Sequence, residues 1–224
     1  MGNRGSGVAR SRSPGRASRR AVLARAVNLA AAEGLESLSI GGLARSVGMS
    51  KSGLYAWFGS KKALQLAVIE AAAGDWNRAV LGDLEATEPG LERLVVTLER
   101  WIGHIEARGD LGGSFFAAAA AEFDNRPGPV RDRVAALSSD WLRRIREEAI
   151  LAVRLGELLP ETDPARLAFE VHAFVQQANW AHQLLGDPTA FHRARAAVHD
   201  RLRRDATALG ARALGRSGPP RKAP

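Results

Sequence analysis

Residues 39–58 read SIGGLARSVGMSKSGLYAWF, and this stretch decides the fold. Ile40, Leu43, Ala44 and Val47 recur at helical spacing. After a break, Leu54 and Phe58 do the same. Val47-Gly48-Met49-Ser50 lies between them, and glycine suits a tight turn because it takes left-handed backbone angles without steric cost. Ser39 is placed to cap the first short helix and Ser50 the second, since a serine oxygen accepts from a free first-turn N–H. Two short helices on one apolar seam, joined through glycine, make a helix-turn-helix, whose second helix can enter the major groove of DNA. Taken alone, the pattern is shared with ordinary αα-corners of protein cores.

The flanks extend the helical reading. Upstream, Val22, Ala26, Leu29 and Ala30 share a face from Ser18 onward, and Gly34 supplies the stop. Downstream, Ser60 caps a longer helix with Leu64, Ala67, Val68 and Ala71 on one side. Amphipathic segments follow at 89–107, 113–124, 127–158, 164–185 and 188–210. Gly112-Gly113 reads as the start of the second, and Gly186-Asp187-Pro188 breaks the last two. No alternating strand pattern and no internal repeat appears. The expectation is an all-α chain of about nine helices, with a three-helix N-terminal head on a C-terminal helical bundle.

The chain has 224 residues, 46% hydrophobic and 25% charged, which suits one or two globular domains. Its lack of cysteine excludes disulfides, thiol nucleophiles and cysteine–zinc sites. No run of about 18 apolar residues suggests a membrane span, and the N-terminus has no apolar signal core. A soluble cytoplasmic protein is expected. His104, His172, His182, His192 and His199 include no pair at the three- or four-residue spacing of two ligands on one helix face. HExxH, GxSxG and a phosphate-cradling glycine loop are absent. Hence no metal, no cofactor and no catalytic residue is expected, and the chain is not read as an enzyme.

The net charge of +8 is unevenly spread. Residues 1–20 hold six arginines and no acid, and residues 201–224 carry net +6. Residues 21–70 carry net +2, while 71–200 carry net −6. A basic first quarter on an acidic body suggests a head that binds a polyanion. Residues 1–17 read as a disordered basic arm, 18–73 as the helix-turn-helix domain, 74–212 as the body and 213–224 as a disordered tail.

The longer string from Arg19 to about residue 73 resembles the N-terminal domain of the TetR family of transcriptional regulators. The matching features are the opening arginines, Glu33-Gly34-Leu35, the Ile40…Leu43-Ala44…Gly48-Met49-Ser50 run, and Leu54-Tyr55…Phe58…Ser60-Lys61…Leu64. One position departs: the family commonly has histidine where this chain has Trp57. A weaker resemblance to a common C-terminal type of the family covers Gly112 to Val130 and Ala178 to Asp187.

The resemblance implies that Ser50 to Phe58 is the recognition helix. Lys51, Ser52 and Gly53 would face base edges, with a phosphate contact as the other reading of Lys51. Tyr55 and Lys61 would contact phosphates, and Arg19 and Arg20 would approach the backbone. Ser39 and Ser50 would sit at the helix starts beside the DNA. Trp57 would either stack on a sugar or pack on the head. The arm from Arg10 to Arg16 would reach a minor groove or merely add diffuse attraction.

For the body, the resemblance implies a homodimer through the last two long helices and an effector pocket among the middle ones. The pocket candidates are Trp101, His104, Phe115, Phe116, Phe123, Trp141, Phe174, Gln177, Asn179 and Trp180, and ordinary packing is the competing reading for each aromatic. Such walls suit a small apolar or aromatic ligand. The function implied is a repressor released from a palindromic double-stranded DNA operator by a small-molecule effector. The alternative is an activator or DNA-organising protein of the same fold without such a ligand.

Overall fold

The structure, a computed structural model, describes residues 14–109 and 112–216. Ten α-helices occupy them. They are α1 (Pro14–Glu33), α2 (Ile40–Val47), α3 (Lys51–Phe58), α4 (Lys61–Trp76), α5 (Leu91–Glu106), α6 (Phe115–Phe123), α7 (Pro129–Arg154), α8 (Pro164–Leu185), α9 (Ala190–Asp205) and α10 (Ala208–Arg216). A π-helical turn, Asn77–Leu81, continues α4. Leu158 and Ala206 make an isolated bridge, and no strand forms among the described residues.

The fold is all-α, as expected, with ten helices where about nine were counted. The extra one arises because segment 188–210 is divided. Ala206 takes extended backbone after α9. Thr207 then accepts the Gly210 N–H at 3.2 Å and starts α10. Most of the two segments expected to be disordered, 1–13 of 1–17 and 217–224 of 213–224, lie outside the described residues. Between those limits helix runs back to Pro14 and on to Arg216.

Side-chain caps fix where the helices of the head begin. Ser39 Oγ accepts from Gly42 N, Ser50 Oγ from Gly53 N and Ser60 Oγ from Ala63 N, each at 3.1 Å. Each cap satisfies a donor that the helix itself leaves free, and is worth about 1 kcal/mol. Gly48, at φ +66°, ends α2 in the left-handed region and turns the chain into α3. In the body, Ser114 caps α6 and Asp163 caps α8 in the same way.

Two apolar clusters hold the molecule together. The body cluster joins α5, α7, α8 and α9 through residues such as Leu98, Ile102, Ile145, Val171 and Leu202. The head cluster joins α1 to α4 through Ala26, Leu43, Leu54, Leu64 and Ile69. It does not stop at the head: Phe115, Ala119 and Phe123 of α6 and Val130 and Val134 of α7 belong to it as well. Polar ties reinforce the junction. The Glu36 N–H donates to Glu122 Oε2 at 3.0 Å, and Arg108 Nη2 donates to Asn28 Oδ1 at 3.1 Å. Arg133 donates to both carboxylate oxygens of Glu70, at 2.5 and 2.9 Å.

Gly112 carries the closest backbone approach at this junction. It sits at φ +93°, and a Cβ there would strike the Ala31 carbonyl of α1. Gly48 also has positive φ but faces open space. Gly112→Ala therefore combines strain with a backbone clash, whereas Gly48→Ala carries strain alone, about 1–2 kcal/mol. Urea unfolding should place the Gly112→Ala midpoint clearly below that of Gly48→Ala; equal midpoints would contradict this packing.

Candidate functional site

The exposed edge of the head gathers the residues read as DNA-facing. Lys51 and Ser52 are exposed at the start of α3, and Tyr55, 56% exposed, follows on the same helix. Gly53 is half-buried, and its N–H donates to Ser50 Oγ. Ser50 Oγ also lies 3.3 Å from Ser52 Oγ. Ser39 is exposed and spends its oxygen on capping α2. Trp57 is half-buried and meets Phe58 edge-on, with ring centroids 6.4 Å apart, so its ring is anchored on the head. Arg19 lies over the Phe58 ring at 5.4 Å, and Arg20 is exposed beside it. Arg10 and Arg12 of the basic arm lie outside the described residues.

Lys61 is held differently from the others. Its Nζ donates to Glu36 Oε1 at 2.9 Å, while Gln65 Nε2 donates to Glu36 Oε2 at 3.0 Å. These bonds, Lys61 first, hold the Glu36 carboxyl below its ordinary range. Lys61 thus sits at the start of α4 as one side of an exposed ion pair, which a phosphate would have to share or break. Arg45 and Lys62 are exposed cations of the head that the sequence reading left out. The side chains of Arg45 and Lys51, from α2 and α3, both pass close to Gly41. The signal was present: both Arg45 and Lys62 flank the turn-bearing helices without any apolar role.

A cavity of about 490 Å³ lies where the head and body clusters meet. Val27 of α1 and Ala72 and Ala73 of α4 wall it from the head side. Trp101, His104, Phe115, Phe116 and Trp141, all expected pocket residues, line it. The other five do not. Phe123 is buried in the head cluster, and Phe174 packs against the body cluster. Asn179 Oδ1 accepts the Ser114 N–H at 3.0 Å and so fixes the start of α6. Gln177 and Trp180 lie on an exposed face of α8 together with Phe169, Ala173 and Leu184.

The floor of the cavity is aromatic. Trp76 and Trp101 each meet Trp141 edge-on, at 4.8 and 4.9 Å, and His172 stacks on Trp101 at 5.5 Å. Asp75, Trp76 and Asn77 reach the wall where α4 widens into its π turn. Sequence reasoning missed Trp76, His172 and Gln176, which share the wall with Arg108, Arg133 and Arg144. Helical periodicity could have found Gln176 beside His172, one turn away, but not which face of α8 looks inward. Gln176 Nε2 lies 3.4 Å from His172 Nε2. Trp141 Nε1 and Gln176 Oε1 are buried without a hydrogen-bond partner.

Comparison with known proteins bears on both halves. Residues 22–68 match the family model for bacterial regulatory proteins of the tetR family, and residues 90–198 match that for the tetracyclin repressor-like C-terminal domain. This chain belongs to the TetR family. A TetR transcriptional regulator from Chloroflexus aurantiacus superposes with a TM-score of 0.78 at 25% identity, over 86% of this chain and 97% of that one. A TetR-family regulator from Cytophaga hutchinsonii gives 0.75 at 18% identity, over 88% and 99%. AibR, solved with isovaleryl coenzyme A and operator DNA, gives 0.64 at 22% identity, over 81% and 96%. No curated protein sequence matches the chain. TetR-family members are DNA-binding transcriptional regulators, and none of the described helices is long and apolar enough to cross a membrane.

In this TetR-family chain burial acts on the histidines of the cavity wall. Burial first, then the nearby Arg108 charge, pushes the His104 pKa down against an opposing pull from Asp75. Burial alone pushes His172 down. Both are neutral at pH 7, when an unfolded chain would begin to take protons near the ordinary value of 6.5. Because the unfolded state binds protons first, stability must fall as pH drops through that value. Unfolding midpoints should therefore decline between about pH 7.5 and 5.5, and a His104→Gln/His172→Gln variant should flatten that decline. An unchanged slope in the variant would mean that other groups carry it.

Proposed function

We propose that this chain is a cytoplasmic homodimeric repressor, which occupies a two-fold operator through α3 and leaves it when a small molecule fills the cavity. The observation that carries the reading is the shared wall. Val27, Ala72 and Phe115 belong to the head cluster and also line the cavity. A ligand that prefers one spacing of these side chains shifts the head toward it. AibR, crystallised with an acyl coenzyme A and operator DNA together, is a structural relative that meets both kinds of partner.

The dimer reading rests on α8. Phe169, 71% exposed, Trp180, 48%, and Leu184, 66%, fall on one helix face with Ala173 and Gln177. A contiguous apolar face of this kind marks an association surface. Paired across a two-fold axis, α8 and α9 of two copies would form a four-helix bundle and set two copies of α3 about one helical turn of DNA apart, roughly 34–36 Å. Phe169→Glu with Trp180→Glu should yield a monomer by light scattering and abolish operator binding. A variant that stays dimeric would move the interface elsewhere.

Selection of DNA fragments by the purified protein should return a near-palindrome. On that DNA, Tyr55→Phe should weaken all sequences alike and leave the salt dependence unchanged, as loss of an uncharged phosphate contact does. Lys51→Ala should instead change the preferred bases at about 1–3 kcal/mol. Glu36→Gln, which frees Lys61, should tighten binding to any sequence. Recovery of no defined site would favour the DNA-organising alternative.

A further inference from the structure

We propose that the cavity takes an amphipathic organic carboxylate, with its apolar body among Trp76, Trp101 and Trp141 and its carboxylate against Arg108 and Arg133. The inference rests on the reading of the cavity as an effector site and names the chemistry of that effector.

The wall is graded along two helices. Along α5, Trp101 and His104 line the cavity, and Arg108, two residues past the end of that helix, continues the same wall. On α7, Trp141, Leu137 and Arg133 line it over about 12 Å. Each gradient runs from an indole in the body cluster to an arginine at the head. Arg108 donates to Asn28 of α1 at 3.1 Å, and Arg133 holds Glu70 of α4 with two bonds at 2.5 and 2.9 Å. Both arginines are therefore cavity wall and head tie at once.

The charge balance of the wall favours an anion. Its carboxylates, Asp75 and Asp140, are each engaged by a neighbour, Arg78 and Arg143. Arg144 adds an exposed cation to the same wall. His104, beside Arg108 on this wall, has its pKa pushed down first by burial and then by the Arg108 charge, against a pull from Asp75. Arg133 already grips one planar carboxylate with two bonds, which is the geometry a ligand carboxylate would copy.

Exchange energetics give the ligand its effect. At Arg108 a carboxylate replaces a neutral amide acceptor, which adds charge–charge attraction to a bond in which only the donor was charged. At Arg133 one carboxylate replaces another, and the displaced Glu70, an exposed residue, returns to water. Occupancy thus costs α1 and α4 their ties to the body. A carboxamide of the same shape offers Arg108 only the kind of uncharged acceptor that Asn28 already supplies, and leaves those ties in place.

The test is calorimetric titration of the full-length protein with two acid–amide pairs, 1-naphthylacetate with 1-naphthylacetamide and 4-phenylbutanoate with its amide. Each acid should bind at least about tenfold more tightly than its amide, or 1.4 kcal/mol. Arg108→Gln and Arg133→Gln should each pull that ratio toward one. Glu70→Gln, which removes the competitor from Arg133, should tighten both acids several-fold and leave the amides unchanged, a gain that a purely structural ion pair does not predict. The proposal is overturned if acid and amide bind alike, if both arginine variants keep the wild-type ratio, or if neither acid saturates near 1 mM, about 4.1 kcal/mol of binding. Operator binding, measured on the same samples, separates the two readings. Arginine-dependent acid binding with unchanged operator affinity keeps this site and removes ligand release. An amide that matches its acid and still frees the DNA does the reverse.

Discussion

The packing of α6 between two apolar clusters is the constraint on which the rest of this molecule depends. Phe115, Ala119 and Phe123 complete the core of the head, while Phe116 and Ala120 turn toward the cavity. Burying a phenylalanine contributes about 1.5–3 kcal/mol, so the head's stability is partly supplied by a helix of the body. The short, alanine-rich sequence of α6 allows this. Small side chains let α1 and α7 approach from either side, and the phenylalanines at its ends fix its position. Two polar contacts then set its register, the Ser114 N–H on Asn179 and the Glu122 carboxylate on the Glu36 N–H.

That arrangement explains why the polar chemistry gathers at one level of the fold. Glu36, Asn28 and Glu70 all lie in the head, and each is met by a residue of the body: Glu122, Arg108 and Arg133. Exposed ion pairs contribute little by themselves, typically under about 1 kcal/mol. The value of these three contacts lies in position, because they tie head to body beside the apolar contacts of α6, of the start of α7 and of Trp76 with Trp141. The same level holds the cavity, so anything that fills it touches the joint. Lys61 belongs to this network too, which links a cation at the edge of the head to a loop that α6 buttresses.

The head was largely legible in the sequence because its signals are local. Ser39, Ser50 and Ser60 each act on an N–H three residues away, and Gly48 turns the chain by its own backbone angle. The body was legible only as a count of helices. The division at Ala206 escaped notice because what starts α10 is Thr207, whose side chain also reaches the carbonyls of Gly156 and Glu157, some fifty residues back. Half of the expected pocket residues line the cavity, and half do not. Periodicity told that α8 was amphipathic, but Trp180 and Gln177 fall on its open face while His172 and Gln176 fall on the inner one.

By itself the sequence determined an all-α fold, the helix-turn-helix and the residues offered at its edge. Capping, turn formation and helical periodicity act over about three to eight residues and leave a readable trace. Only the tertiary structure decided that one apolar cluster spans head and body, that Lys61 is paired with Glu36, and that Arg108 and Arg133 line a cavity while tying down α1 and α4. Those facts depend on contacts between residues 25 to 86 positions apart. Which of two equally amphipathic faces meets which neighbour is fixed by packing, and no short stretch of sequence encodes it.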